Sequence, residues 1–179
     1  MSPNSDALRV VIITSDAILQ GTVPSQAPGG QPARFLDILR SPSRVGQGAI
    51  GAKPGLTLRD VVRKPRGGGE EMTFDQPVVL RLGSILAAYD LGASRSAPNT
   101  QYEQLRGSQQ VRARIFLEGH LALEANLAGG LRTIDAVRGE TFVACTDVQL
   151  LLSGRQRLPF LAVNSTRIES FSILEAGEG

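Results

Sequence analysis

The sequence predicts a mainly β protein with little helix, built from two copies of one small module. Short segments alternate between hydrophobic and polar residues, and similar residues recur in the same order in both halves. Stretches rich in Gly and Pro separate these segments. We therefore expect internally duplicated small β-barrel or β-sandwich modules, each with the order β-β-α-β-β-β, packed with pseudo-twofold symmetry.

The second half shows the order of elements most clearly. Hydrophobic residues alternate with polar ones from Val111 and again from Leu121, which is the pattern of half-buried strands. Ala128-Gly129-Gly130 then interrupts the alternation. The predicted elements are strands over 111–117 and 121–127, a short helix over 131–137, and strands over 142–152, 158–163 and 167–174.

The first half repeats this order. Arg34-Phe-Leu-Asp-Ile-Leu-Arg40 matches Arg132-Thr-Ile-Asp-Ala-Val-Arg138 position by position. The other matches are Val11–Val23 with Ile115–Leu127, Leu58–Val61 with Cys145–Val148, Pro77–Val79 with Pro159–Leu161, Leu86 with Ile168, and Tyr89 with Phe171. Two unrelated β modules would share the alternation of hydrophobic residues, but not the paired Arg, Asp and Pro residues. The matches therefore favour a duplication.

The matches define the domain organisation. We expect a first repeat over 8–91, a polar linker over 92–109 and a second repeat over 110–174. Two insertions rich in Gly and Pro, 41–55 and 64–75, fall in the first repeat and are expected to be surface loops, either binding or inert. A module of about 70–80 residues buries little apolar surface alone, so both repeats are expected to form one compact body.

Both halves resemble a small bacterial domain family. The motifs are Phe142-Val-Ala-Cys-Thr-Asp-Val148 followed by Phe160-Leu-Ala-Val-Asn164, and, in the first half, Thr14-Ser-Asp16 followed by Gly21 and the segment from Arg34. The resemblance covers most of 8–40 and 111–173, although Leu82 stands opposite Asn164. That family is uncharacterised, so the resemblance implies a β-rich fold unit, present as two degenerate copies, and assigns no functional residue. Strand count and length are also similar to small Sm-like or SH3-like barrels.

Composition excludes several kinds of catalytic site. The chain has one His (His120) and one Cys (Cys145), so it forms no internal disulfide and no Cys/His zinc site. A Ser-His-Asp triad would depend on His120, which the alternation places on the polar face of a strand. Cys145 lies in an apolar run and is expected to be a small buried hydrophobe.

Two motifs suggest a bound phosphate. Gly46-Gln-Gly-Ala-Ile-Gly51 has the spacing of a dinucleotide fingerprint, but Pro54 stops the helix that such a site requires, so we interpret it as a chance match. The loop from Arg59 to Arg66 is the more serious candidate. Its basic residues, beside three glycines, could contact phosphate oxygens, although Asp60, Glu70 and Glu71 offset much of their charge. The candidate phosphate-contacting residues are Arg59, Arg63, Lys64 and Arg66.

Acidic residues recur at matching positions. Asp37 and Asp135 each follow an Arg by three residues, so we expect structural pairs on one helix face, Arg34 with Asp37 and Arg132 with Asp135. The alternative is that both carboxylates meet to bind a metal or act as acid and base. Asp60 and Asp147, each before a Val, are expected to cap or turn a strand.

These patterns favour a non-catalytic structural or adaptor protein that acts through protein–protein contacts and self-association. Open strand edges of small β modules can pair with a partner or another copy. No cofactor, metal or enzyme activity is predicted. The alternative is a nucleic-acid or phospholigand-binding module that uses the loop from Arg59 to Arg66. The net charge of +2 implies no strong field. The N-terminus resembles no signal peptide and no apolar run is long enough to span a membrane, so we expect no membrane insertion and a cytoplasmic location.

Overall fold

The computed structural model describes residues 7–24, 35–40, 49–50, 53–91, 110–127, 137, 139, 141–151 and 156–174. The described chain is mainly β, as expected from the sequence. It divides into two compact units, unit 1 over Met1–Arg95 and unit 2 over Ser96–Gly179. Among the described residues, no helix has the length and apolar character needed to cross a membrane.

Unit 1 is an antiparallel sheet with one short helix. Its strand order is β7-β1-β2-β4, and β3, β5 and β6 each pair with β4. The elements are β1 (Ala7–Ile13), β2 (Ala17–Pro24), α1 (Phe35–Arg40), β3 (Ala49–Ile50), β4 (Lys53–Pro65), β5 (Met72–Phe74), β6 (Val78–Arg81), a 3₁₀ helix (Leu82–Ser84) and β7 (Ala87–Asp90).

Unit 2 is an antiparallel sheet of the strand order β12-β8-β9-β10-β11. The elements are β8 (Val111–Leu117), β9 (Leu121–Leu127), β10 (Phe142–Leu150), β11 (Arg157–Asn164), a 3₁₀ helix (Ser165–Arg167) and β12 (Ile168–Ile173). Val137 is helical and buried. The rest of the helix expected over 131–137 and the expected linker over 92–109 lie outside the described residues.

The two units have the same strand order. In each, the last strand pairs with the first, and a 3₁₀ helix precedes that last strand. The predicted parity of the second strand is confirmed, because Leu19 and Val23 are buried in β2 as Leu123 and Leu127 are in β9. Alternate residues therefore line the core of each unit.

The helix of unit 1 buries the face that its sequence predicts. Leu36 and Leu39 are buried, whereas Asp37 is exposed. Spacing of three residues places Leu36 and Leu39 on one face of α1. Burial of these leucines, rather than propensity, stabilises so short a helix.

The expectation that both insertions are loops is wrong in part. In the first, over 41–55, β3 pairs with Lys53 and Pro54 at the start of β4. In the second, over 64–75, β4 runs on to Pro65 and β5 pairs back onto it, from Val61 opposite Phe74 to Arg63 opposite Met72. Only the tip of this hairpin is a turn, because there Gly68 and Gly69 adopt positive φ (86° and 132°).

The ungapped match of 11–23 with 115–127 aligns the first strands of the two units with an error of one residue. In unit 1 Ile12 lies opposite Leu19, and in unit 2 Ile115 lies opposite Leu123, so Ile12 and not Val11 takes the place of Ile115. The cause is a difference in turn length. Thr14 N donates to Ala17 O at 2.9 Å, so two residues, 15–16, form the turn of unit 1. In unit 2, Leu117 lies opposite Leu121, so the turn has three residues, 118–120.

The matches near the end of each unit are out by the same amount. The 3₁₀ helices are followed by Ile85 in unit 1 and Ile168 in unit 2, so Ile85 and not Leu86 takes the place of Ile168. Phe171 lies opposite Ile115, and the residue opposite Ile12 is Ala88 rather than Tyr89.

The alternation of residues predicted that His120 lies on a strand, and this prediction is wrong. His120 follows Gly119 in the turn before β9, and both residues have positive φ (59° and 68°). A tight turn with a right-handed twist requires such backbone angles, and His is among the residues that tolerate them. The side chain is exposed, as expected.

Candidate functional site

An aspartate with positive φ interrupts the third long strand of each unit. Asp60 in β4 has a φ of 51° and Asp147 in β10 has a φ of 48°. Each lies at a β-bulge, where the register shifts between Gln20 and Thr22 in one unit and between Thr146 and Gln149 in the other. Asp tolerates this backbone conformation better than most residues. Beside each bulge the surface forms a groove.

Arg112 and Asp147 line the groove of unit 2, and a row of polar side chains that bond to one another lies beside it. Arg112, Asn126 and Thr146 are directly paired across β8, β9 and β10. Arg112 Nη1 donates to the carbonyl oxygen of Asp147 at 2.8 Å, and its Nη2 lies 3.9 Å from Glu124 Oε2. The guanidinium of Arg112 is therefore engaged by its own unit.

Gln110 completes this arrangement. Its Nε2 donates to Thr146 Oγ1 at 3.3 Å, and its Oε1 accepts from Asn126 Nδ2 at 3.2 Å. Asn126 Nδ2 also lies 3.4 Å from Asp147 Oδ2. The groove has a volume of about 520 Å³ and also has Arg157 and Pro159 in its wall. Its polar row is satisfied without a ligand.

The groove of unit 1 also contains the arginine of the first strand and the aspartate of the bulge, Arg9 and Asp60, but the rest of its wall comes from β1, β2 and β4. Arg9, Thr22 and Arg59 are directly paired across β1, β2 and β4. Thr22 Oγ1 donates to Asp60 Oδ2 at 3.1 Å. The groove has a volume of about 570 Å³, and Ala7, Val23 and Pro24 complete its wall.

Two replacements distinguish the grooves. Strand pairing puts Ala7 where unit 2 has Gln110, and Arg59 where unit 2 has Thr146. The methyl group of Ala7 cannot span the row as the Gln110 amide does. Neither Arg9 nor Arg59 forms an ion pair within the part of the chain that the structure describes. Unit 1 thus presents two guanidinium groups and one carboxylate to its groove.

The basic loop expected to contact phosphate is divided by the structure. Arg59 belongs to the groove of unit 1, whereas Arg63, Lys64 and Arg66 lie at the other end of β4. Arg63 Nη2 lies 2.6 Å from Asp16 Oδ2. The four residues are therefore not one site.

Arg66 is held by the β1–β2 turn. Its Nη1 donates to the carbonyl oxygens of Thr14 and Ser15 at 3.1 and 3.2 Å, and its backbone N–H donates to Asp16 O at 2.9 Å. Lys64 is exposed. Arg63 and Arg66 hold the turn against β4.

The pKa of Asp16 is lowered below its ordinary value of 3.8 by a hydrogen bond that Thr14 Oγ1 donates to its carboxylate and by a second one that Arg63 Nη2 donates. A pKa lowered by hydrogen bonds to the charged form indicates that Asp16 stabilises the turn as a carboxylate. This contact is structural in character.

The expected helix pairs fall mostly outside the described residues. Asp37 is exposed on α1, and Arg34, Arg132 and Asp135 lie outside them. The pairing of these residues, and the alternative carboxylate dyad, stay predictions. Of the described ranges, none contains a group of three or more His, Cys, Asp or Glu side chains suited to holding a metal ion.

Cys145 is fully buried in β10, as the sequence predicts. Burial raises the pKa of its thiol to about 12, so at neutral pH the thiol stays protonated. A protonated, buried thiol is a poor nucleophile. Cys145 therefore acts as a core residue.

The edge of unit 2 is formed by β12. Among the described residues β12 pairs with β8 alone, and Leu174 N, just after β12, donates to Arg112 O at 2.9 Å. Because amides alternate in direction along a strand, the N–H and C=O groups of Phe171 and Ile173 face away from β8. This open edge carries no charge from Ser170 to Ile173.

Sequence reasoning found the matching Asp60 and Asp147 but missed both grooves. The row in each groove begins with an arginine, Arg9 or Arg112, and an ungapped match does not align these two. A gap of one residue at the β1–β2 turn brings them together. That gap is the signal that could have revealed the grooves.

Comparison of the chain with known protein families, with curated proteins and with solved structures gives no match. The fold and the grooves define the chain as a mainly β protein with two compact units of the same strand order. The resemblance of both halves to an uncharacterised bacterial domain family stays a prediction.

Proposed function

We propose that the protein is a non-catalytic adaptor that acts through protein–protein contacts, and that it self-associates through the open edge of β12. The observation that carries this proposal is the edge itself. Phe171 and Ile173 direct backbone donors and acceptors away from β8, and no described residue meets them. A second strand that pairs there would satisfy them.

Exposed apolar side chains lie close to this edge. Ile173 is 41% exposed and Phe116, on the adjacent β8, is 40% exposed. Natural edge strands are commonly protected by Lys, Pro or inward charges, and Ser170-Phe-Ser-Ile173 has none of these. Burial of these side chains would add an apolar contribution to the backbone hydrogen bonds.

The occupant we propose is a second copy of this chain. Antiparallel pairing of β12 with its copy about Phe171 would form an isologous contact with twofold symmetry. Glu169 of one copy would then lie opposite the uncharged Ile173 of the other. Like charges directly opposite destabilise a sheet, and this register avoids them.

We also propose that the two units are copies of one small barrel module. The shared strand order, the 3₁₀ helix before the last strand and the aspartate with positive φ support this. The last feature is the strongest support, because a β-bulge at one position with one residue type is unusual in unrelated sheets. An adaptor with two modules can present two different surfaces.

The test is the molar mass in solution, measured by size-exclusion chromatography with light scattering over a range of concentrations. Wild type is expected to approach twice its monomer mass as concentration rises. Ile173→Pro removes one N–H from the open edge without removing a hydrogen bond to β8, and is expected to be a monomer. Ser172→Lys places a charge on the same edge and is expected to act likewise.

Gln76→Lys, an exposed substitution in the turn between β5 and β6, is the matched control and is expected to behave as wild type. A wild type that stays monomeric at high micromolar concentration would overturn self-association. A dimer that both β12 variants retain would show that another surface forms it.

A further inference from the structure

We propose that the groove of unit 1 binds a sugar phosphate, with Arg9 and Arg59 holding the phosphate and Asp60 accepting a hydrogen bond from a sugar hydroxyl. This site lies in unit 1 and does not depend on the edge of β12. It goes beyond the adaptor role, because it gives the protein a small-molecule ligand.

The first argument is the placement of the two arginines. Arg9 and Arg59 flank Thr22 in a row of directly paired residues, so all three side chains share one face of the sheet. Paired residues have Cβ atoms about 5 Å apart, so both guanidinium groups are within reach of one ligand in the groove that Arg9, Thr22 and Arg59 line. Two planar forks in this arrangement suit the oxygen atoms of a phosphate.

The second argument is the contrast with unit 2. There Asp147 O and Glu124 engage Arg112, and the Gln110 amide spans the row. Unit 1 replaces Gln110 with Ala7, and no described carboxylate pairs with Arg9 or Arg59. Arg9, whose counterpart Arg112 is engaged within unit 2, therefore lines the groove of unit 1 together with Arg59, a second guanidinium that unit 2 lacks at that position.

The third argument concerns the carboxylate. Thr22 Oγ1 donates to Asp60 Oδ2 at 3.1 Å and lies 3.4 Å from the Arg59 carbonyl oxygen, so Thr22 holds the Asp60 carboxylate at the groove. The other oxygen, Oδ1, is available to accept from a ligand. A carboxylate repels a bare phosphate but accepts from a hydroxyl, so it selects a phosphate ester that carries hydroxyl groups.

Groove size and wall chemistry limit the ligand further. A volume of about 570 Å³ is in the range of small-molecule sites. Its described wall contains Ala7, Val23 and Pro24 but no aromatic residue on which a nucleobase could stack. A sugar phosphate fits this wall better than a nucleotide or a nucleic acid.

The test is calorimetric titration of the full chain with ribose 5-phosphate, ribose and inorganic phosphate, each at low and high salt. Ribose 5-phosphate is expected to bind saturably and more weakly at high salt, and to bind more tightly than inorganic phosphate. Ribose alone is expected not to bind. Arg59→Thr, which installs the residue of unit 2, is expected to weaken ribose 5-phosphate binding at least about tenfold.

Three further variants separate the roles. Asp60→Asn is expected to bring the affinity for ribose 5-phosphate closer to that for inorganic phosphate, because it removes the selective carboxylate. Arg9→Gln repeats the test of the arginine pair if Arg59→Thr does not fold, as judged by circular dichroism. Arg157→Thr, in the groove of unit 2, is the matched control and is expected to bind as wild type.

Absence of saturable binding at millimolar ribose 5-phosphate would overturn the proposal. So would binding that Arg59→Thr and Arg9→Gln leave unchanged, which would indicate an adventitious ion only. Tighter binding of a mixed oligonucleotide than of ribose 5-phosphate would overturn it in favour of nucleic acid. The monomeric variant Ile173→Pro is expected to bind ribose 5-phosphate as wild type does, so failure of self-association and failure of this site are distinguishable.

Discussion

The grooves of the two units share an arginine and an aspartate at matching positions, yet the arginine of unit 2 is engaged by its own unit, whereas those of unit 1 form no ion pair among the described residues. In unit 2, Gln110 bonds to Thr146 and Asn126. In unit 1, Ala7 and Arg59 stand in the places of Gln110 and Thr146, and the row lacks that bridge. Two residues thus decide whether the bulge is a stabilising network or a candidate binding surface.

This difference shows that two units of the same strand order can carry different surface chemistry. A satisfied polar network stabilises and orders a sheet, whereas unsatisfied donors at a surface cost little stability and can bind a ligand. The edge of β12 adds a second kind of surface to unit 2. The two units therefore differ in surface chemistry while they keep the same strand order.

The largest expected effect comes from charging the core of either unit. Leu19 and Leu123 occupy the same place on the second strand and are 4% and 0% exposed. An unpaired buried carboxylate is among the most destabilising changes, so Leu19→Asp and Leu123→Asp are each expected to cost more than about 4 kcal/mol. Urea denaturation followed by circular dichroism measures this.

The control for this pair is Gln20→Asp, which faces solvent on β2 and is expected to change stability by less than about 0.5 kcal/mol. If only one of the two Leu variants were severely destabilised, the second strands would not have equal roles.

A smaller effect is expected where β2 passes the bulge. A Cβ on Gly21 would lie 2.9 Å from the Arg59 carbonyl oxygen and 3.3 Å from Val61 Cγ2, whereas unit 2 has Ala125 in the same place. Gly21→Ala is expected to cost roughly 1–3 kcal/mol because backbone must move. Ala125→Gly is expected to cost about 1 kcal/mol. Thermal unfolding compares the stability of the two variants. If Gly21→Ala were as stable as wild type, the short distance between a Cβ at position 21 and the Arg59 carbonyl oxygen would be refuted.

The bulges provide the next comparison. Positive φ costs an L-residue roughly 1–2 kcal/mol, which Gly avoids and Asp reduces. Asp60→Ala and Asp147→Ala are expected to cost about 1 kcal/mol, and the Gly variants less. The two Ala variants are expected to cost similar amounts, since Asn126 loses an acceptor in one and Thr22 in the other. Chemical denaturation of the four variants tests this order; Ala variants more stable than Gly variants would contradict the left-handed backbone.

The smallest effect is expected from Asp16, which lies in the β1–β2 turn of unit 1. The pKa of Asp16 is lowered in the folded protein, so its contribution is present above its ordinary value of 3.8 and is lost as pH falls through the folded pKa. The side chain is 67% exposed, so the contribution is less than about 1 kcal/mol.

Asp16→Asn is therefore expected to lower stability slightly at pH 7, and the difference from wild type is expected to shrink as the pH falls below 3.8. Denaturant midpoints at several pH values measure the difference. A difference that persists unchanged at pH 2 would mean that the carboxylate charge is not the cause.

Alternation of residues was sufficient to predict the mainly β class and the buried face of β2 and β9. It failed where connections differ by a single residue. The ungapped match placed Val11 opposite Ile115 because the sequence carries no direct mark of turn length, and a slip of one residue reverses the face of every side chain. The strands in the insertions were missed since Gly and Pro indicate turns, and β3 and β5 are only two and three residues long.

The candidate site was less accessible to sequence reasoning. Arg59 was identified, but with Arg63 and Arg66 as neighbours in the sequence rather than with Arg9 as a neighbour in space. Cross-strand pairing brings residues together from distant parts of the chain, and one sequence does not state which strands pair. The open edge of β12 depends on strand order for the same reason.

The most direct test of the proposed adaptor role is amide hydrogen exchange of β12, followed by NMR at low and high protein concentration. Pairing of β12 with a second copy predicts that the Phe171 and Ile173 amides exchange rapidly in dilute protein and become protected as concentration rises. The Leu174 amide, which donates to Arg112 O at 2.9 Å, should be protected at both. Exchange of Phe171 and Ile173 that does not change with concentration would contradict self-association through this edge.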